Sequence, residues 1–528
     1  MKTKKIIYHS LAALTLTFGT LSCTGDLDQM PHVETTSATV YTTAEGIEAV
    51  MGKIYNSMTT NGQGKGGDNA DLASNMGYDY MRCWFNLQEC GTDEVASTWL
   101  SGDKSSDITF LTWDANDPWV ADMYYRIYYN ITLCNEFLRN CTEDKDALSP
   151  EIPHYRAEAR FMRALFYTHA LDLFRNIPFV TENDPVGSFI PPRNEPKQTF
   201  EFIESELKDI VDDLYPAASC PYARASQGAA YTLLAQLYLN AEVYIGEPKY
   251  AECIEACENA IAQGYSLESD YQKLFNADNH LRSNEIIFAL AVDPVYTVSW
   301  GASTYVVCGE IPNAGSTMQP EDYGVTSGWG MFRARGELPK MFEGAEQEDG
   351  RYLFHTDGQT QYIEDITTED QTQGYCVKKW SNLTDAGEVA SNTAEGGVAT
   401  DWPLMRLADV YLMYAEAVVR SNDQANGYTA KDYVNALRQR AYGNTQGDIT
   451  FDQMWEPNFF LKERARELYW EGYRRTDLIR FGKFTTADYL WQWKGGVKDG
   501  QKVDAKYNIY PIPATELTAN PNLSNPLY

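Results

Sequence analysis

The stretch LAQLYLNAEVYIGEPKYAECIEACENAIAQG, Leu234 to Gly264, decides how the chain is built. Its first half is apolar at helical spacing, with Ala235 one turn before Tyr238. Gly246 and Pro248 break that helix, and a second follows with Ala251, Ala256, Ala260 and Ala262. Small residues let two helices approach where they cross, and a large residue one turn on fills the space beside the crossing. The segment therefore predicts a helical hairpin. Ala-x-x-Tyr recurs in apolar helical surroundings at Ala121 and Tyr124, at Ala164 and Tyr167, and at Ala408 and Tyr411.

Hairpins of roughly 34 residues with this pattern resemble tetratricopeptide units, which stack because none can bury its apolar face alone. The expected fold is mainly α: tetratricopeptide-like hairpins near 119–174, 226–263 and 403–441, packed with long irregular insertions near 62–117 and 266–401. The insertions are rich in Gly, Asn, Asp, Thr, Trp and Tyr, with short β-like runs such as IIFALAV from Ile286. Loops on a rigid scaffold are where function usually sits.

The chain has 528 residues, 74 Asp plus Glu against 43 Lys plus Arg, and a formal charge of −31. Such acidity argues against nucleic acid, whose binding draws on clustered cations. Its 36 Tyr, 21 Phe and 12 Trp are too many to hide in a core, which suits flat, weakly polar ligands. The first residues run basic at Lys2, Lys4 and Lys5, apolar from Ile6 to about Leu21, then small before Cys23. This reads as a signal peptide, residues 1–22. Cys23 resembles the acylated cysteine of a bacterial lipobox, although Thr20 stands where an aliphatic residue is usual; plain secretion is the alternative. Several acyl chains would hold the protein on a bilayer. Residues 23–42 are polar and read as a tether. The nine later cysteines show no CxxC and are expected to be mostly buried free thiols.

The six histidines lack HExxH or any paired ligand spacing, and GxSxG and GxxxxGK[ST] are missing. GQGKGG, Gly62 to Gly67, matches GxGxxG but follows a helical pattern instead of a strand, so it reads as a loop. Asp93 and Glu94 do not display the two facing carboxylates of a glycosidase and read as a solvated or turn-capping pair. The stretch ERARELYWEGYRRTDLIRFGKF, Glu463 to Phe484, holds five arginines within seventeen residues. Glu463, Arg466 and Glu467 can pair along a helix that stops near Gly472, with Arg474, Arg475 and Arg480 beside Asp477. It reads as an ion-paired structural corner.

That stretch also resembles a signature of the SusD/RagB family of outer-membrane lipoproteins. PLMRLADVYLMYAEA from Pro403, YPIPATELTANPNLSNP from Tyr510, AEARFMRALFYTHALDLF from Ala157 and the DLD after Cys23 are similar to further signatures. The resemblance spans the mature chain and implies one domain over 43–528. It also implies non-catalytic glycan binding at the cell surface and a TonB-dependent transporter of the SusC type as partner. WGASTYVVCG from Trp300, GVTSGWGMFRAR around Trp329, NLQECGTDE from Asn86 and FTTADYLWQWKGG from Phe484 resemble the starch-binding branch of the family. There an arc of three aromatics cradles an α-glucan helix. The matching positions are Trp99, Trp300 and Trp329, with Arg82 in the place of a hydrogen-bonding arginine. Ser97 replaces a Trp and Gly102 an Asn of that branch, so the arc is kept while part of its fringe is lost. Another α-glucan such as dextran is then an alternative to maltooligosaccharide, and a lipid-anchored glycosidase a further one. The resemblance also implies a structural calcium ion, for which Asp278, with Asp423, is the candidate.

Overall fold

The computed structural model describes residues 37–64, 69–73, 76–187, 189–367, 370–390 and 397–528. The leader, Cys23 and most of the tether lie outside the described residues, as do parts of the GQGKGG loop and of the loop after Ser381. The principal helices are α1 (Ala44–Asn56), α2 (Tyr80–Phe85), α3 (Pro118–Asn140), α4 (Ile152–Phe174), α5 (Pro196–Ile210) and α6 (Gln227–Leu239). They continue with α7 (Tyr250–Ile261), α8 (Ala302–Glu310), α9 (Leu407–Arg420), α10 (Gly427–Tyr442), α11 (Phe459–Leu468) and α12 (Arg474–Arg480). The chain is mainly helical, as its periodicity predicts. Its strands are short and paired in twos. β1 (Val95–Ser97) and β3 (Phe332–Ala334) are antiparallel, as are β2 (Ile286–Leu290) and β4 (Trp402–Arg406).

Helices α3 and α4 pack as a pair, α6 lies on α7, and α9 on α10, with α7 also against α9. Local chemistry starts these elements. Asp117 accepts the N–H groups of Trp119 and Val120, with Pro118 in the first turn where its missing N–H costs nothing. Ser226 caps α6 through the N–H of Ala229. At the α6–α7 contact, Ala229, Ala235, Cys253, Ala256, Cys257 and Ala260 are all buried. Their small side chains set the close approach, and Cys253 Sγ lies 3.4 Å from the carbonyl of Ala235. The nine cysteines from Cys83 to Cys376 are free thiols, and all but Cys220 are buried.

The arginine-rich stretch is a structural corner, but a buried one. Arg351 reaches Glu463 at 3.0 Å and Glu467 at 3.2 Å. Arg406 holds Glu285, Glu467 and Glu471 at 2.7–3.0 Å, and Arg440 also grips Glu467. Burial opposes a charge on Glu467, but Arg440, Arg406 and Arg351 outweigh it and hold the carboxyl down at about 2.

Asp93 and Glu94 are not solvated. Both are buried, and Asp93 makes a two-point pair with Arg474, 2.7 Å at each end, while also accepting from the Tyr489 hydroxyl. Burial would raise the Asp93 carboxyl, and Arg474 holds it below its ordinary range. Glu94 takes the N–H of Trp470, and Glu89 those of Gly472 and Tyr473. Those three amides face carboxylates from the first insertion instead of helical carbonyls. For this reason α11 ends at Leu468, earlier than the expected stop near Gly472.

Candidate functional site

The two insertions meet at the β1–β3 pair. Register sets Ser97 opposite Phe332, and the next residue continues the ladder: the N–H of Thr98 donates to Met331 O at 2.9 Å, and its hydroxyl to Gly330 O at 2.9 Å. Trp99 and Trp329 therefore emerge from adjoining positions at the end of one ribbon. The N–H of Trp329 is tied to Cys308 O on α8 at 2.8 Å, and Trp300 stands just before the start of the same helix. Trp300 and Trp329 meet with ring centroids 6.2 Å apart at 55°, and Tyr305 backs Trp329 at 6.4 Å. Trp99 is 38% exposed, Trp300 43%, and Trp329 is half-buried. Indoles usually lie deep, so two this exposed and a third beside them need a reason.

The rings are held from below. Asp79 accepts the Ser299 hydroxyl at 2.6 Å and the N–H groups of Arg82 and Ala302, pinning the backbone on both sides of Trp300. Gly301 is required there, since a Cβ would fall 1.9 Å from an Asp79 carboxylate oxygen. Arg82 is 3% exposed and lies 3.4 Å from the Tyr78 ring and 4.2 Å from the Tyr305 ring. One Nη donates to Trp300 O at 2.7 Å and the other to both Asp103 oxygens at 3.1 and 3.2 Å. The N–H of Asp103 in turn donates to Trp99 O at 3.1 Å. Arg82 is thus a brace linking the backbones of Trp300 and Trp99 beneath the surface, where the resemblance implied a group reaching the ligand. Burial lifts the Asp103 carboxyl above its ordinary range, with Arg82 opposing that rise.

Tyr305, Asp79 and Asp103 were not singled out from sequence. Tyr305 sits inside the quoted WGASTYVVCG, but Asp79 and Asp103 carry no local motif. Ser97 is buried with its hydroxyl on that of Ser105, whereas Gly102 is exposed on the rim of a cleft of about 740 Å³ beside Trp99.

The carboxylates offered for calcium are engaged locally. Asp278 accepts the N–H of Asp385 at 2.8 Å, and Asp423 caps its own turn through Ala425 and Asn426. Among the described residues no three His, Cys, Asp or Glu side chains converge; the six to eight oxygens calcium takes can also come from carbonyls, amides and water. Among the described residues no helix is long and apolar enough to cross a membrane.

Comparison with known proteins places this geometry. The SusD family profile matches residues 340–528, and a second, described as starch-binding and associating with the outer membrane, matches 33–239. The starch-binding protein SusD of Bacteroides thetaiotaomicron is 33% identical, with 99% of each chain covered. Among solved structures, a SusD homologue from the same species matches with a TM-score of 0.71 at 21% identity, over 94% of this chain and 99% of its own. A laminarin-binding SusD-like protein matches at 0.67 and 21%, over 92% and 100%. With near-complete coverage at that identity to SusD and a shared fold throughout, the chain belongs to the SusD family.

Proposed function

We propose that this chain captures α-glucan oligosaccharides of the starch or maltooligosaccharide type on the surface formed by Trp99, Trp300 and Trp329. It is a binding protein and not an enzyme. The supporting observation is that Trp99 and Trp300 are exposed and Trp329 half-buried on adjoining segments, while Arg82, Asp79 and Asp103 fix the backbone behind them. Sugar rings present C–H faces to flat aromatics, which bury area without needing charge. The tilt of 55° between Trp300 and Trp329 favours a curved chain over a flat one. A neutral oligosaccharide held this way binds with Kd on the order of micromolar to millimolar. Trp329→Ala removes a central anchor, which costs roughly 2 kcal/mol or more. Calorimetric titration with maltoheptaose should show that loss in a variant that stays folded with a modestly lowered melting temperature, because Trp329 is half-buried, and with little salt dependence. Full affinity in Trp329→Ala, Trp99→Ala and Trp300→Ala would sink the assignment. Because Ser97 and Gly102 differ from the starch-binding branch, dextran and laminarin belong in the same titration. Tighter binding of dextran would favour the second reading, an α-1,6-linked glucan.

The proposal extends to the cell surface. The leader ending at Cys23 supports an acylated anchor, and membership of the family supports delivery to a SusC-like TonB-dependent transporter. Mild-detergent extracts of native membranes should yield the protein with a large outer-membrane partner, and Cys23→Ala should move it to the soluble fraction. Retention of Cys23→Ala on membranes in high salt, or recovery of the wild type alone from several detergents, would defeat the respective part.

A further inference from the structure

The cleft beside Trp99 has features that stacking alone does not use. Its volume, about 740 Å³, falls within the roughly 300–1,000 Å³ of small-molecule sites. Thr98 and Gly330 line it, and these are the residues that join Trp99 to the Trp329 segment, so it adjoins the seam between the segments that carry two of the rings. Gln371 is packed onto that seam. Gly330 has φ +63°, and a Cβ there would come 2.4 Å from the Gln371 amide oxygen, so only glycine admits the amide. Asn313 fixes the amide from the far side, its N–H donating to Gln371 Oε1 at 2.7 Å while Gln371 Nε2 donates to Asn313 Oδ1.

Arg333 is set into the wall and 1% exposed, and its Nε and one Nη have no hydrogen-bond partner. Buried N–H groups left unmade cost free energy, so this wall is suited to an oxygen ligand. The Asp370 carboxylate, which accepts from the N–H and hydroxyl of Thr372, lines the same cleft and balances the guanidinium. Opposite charges together with a fixed amide pair match a neutral polyhydroxyl group better than an anion.

We infer that the cleft is a branch subsite: a glucan chain lies across Trp99 and Trp329, and a single sugar residue projecting from it enters beside Gln371, Asn313 and Arg333. The inference rests on the α-glucan reading of the platform and adds the class of glycan, a branched one. Linear and branched polymers share the stacking, so the cleft supplies the discrimination. One or two added hydrogen bonds correspond to about fivefold in affinity.

The whole protein is titrated with maltoheptaose and with the same heptaose carrying one 6-O-α-glucosyl branch, alongside Gln371→Ala and Asn313→Ala variants checked by thermal melts. The expected result is about fivefold tighter binding of the branched sugar, with the ratio falling to near one in Gln371→Ala. Equal affinities in the wild type, or a preference that survives both substitutions, would overturn the branch subsite and leave the platform reading standing. Absence of binding to either sugar would overturn both.

Discussion

At the scale of single residues, Arg82 shows how a side chain can matter to a binding surface without touching it. One Nη of its planar fork reaches both Asp103 oxygens, the other holds the Trp300 carbonyl, and two tyrosine rings flank it. Lysine carries the charge but neither the fork nor the flat faces. Arg82→Lys should therefore weaken maltoheptaose binding several-fold with all three tryptophans intact, and lower the stability by about 1.5–3 kcal/mol. Paired calorimetry and urea titration check this; unchanged affinity in a destabilised protein would reduce Arg82 to a purely structural role. Trp300 and Trp329 stand in stretches that resemble a known family, and Trp99 lies just after another, which is why the sequence offers them as candidates. The brace was not, because Arg82 lies 21 positions from Asp103 and 218 from Trp300, and arginine is seldom fully buried.

At the scale of elements, helices were readable where neighbours in sequence are neighbours in space. The Ala-x-x-Tyr periodicity and breakers such as Gly246 mark α6 and α7 directly, and the Asp117-Pro118 start marks α3. What could not be read is where α11 ends, because the amides just beyond it, those of Trp470 and Gly472, are taken by Glu94 and Glu89, 376 and 383 positions away. The same distance hid the burial of Asp93, whose tripeptide looks like a surface turn until Arg474 is placed beside it. Removing one partner of a buried pair leaves the other charge stranded, at a cost of roughly 3–5 kcal/mol. Asp93→Asn should therefore lower the urea midpoint sharply by leaving Arg474 uncompensated. A loss under about 1 kcal/mol, the level of an exposed pair, would contradict the packing described for this junction.

At the scale of the whole molecule, a chain of formal charge −31 keeps several of its arginines inside, gripping carboxylates. Glu467 and Glu416 are both drawn down to about 2 from a usual 4.5: burial works against their charge, and surrounding arginines prevail. A depressed carboxyl contributes stability above its unfolded value and loses it as pH falls toward its folded one. The urea midpoint should therefore hold nearly level from pH 7 to 5 and drop steeply below about pH 4. A level midpoint down to pH 3, followed by tryptophan fluorescence, would show that these pairs contribute nothing net. The junction that unites Asp93 with Arg474 also bears on how the molecule comes into being. Glu89 bonds across 384 positions, Tyr510 reaches Leu87 O across 423, and Trp113 reaches the Tyr528 hydroxyl across 415. The first insertion thus finds several of its partners hundreds of positions further along the chain. Contacts of such separation carry a large loop-closure cost, so the junction that holds them is slow to form.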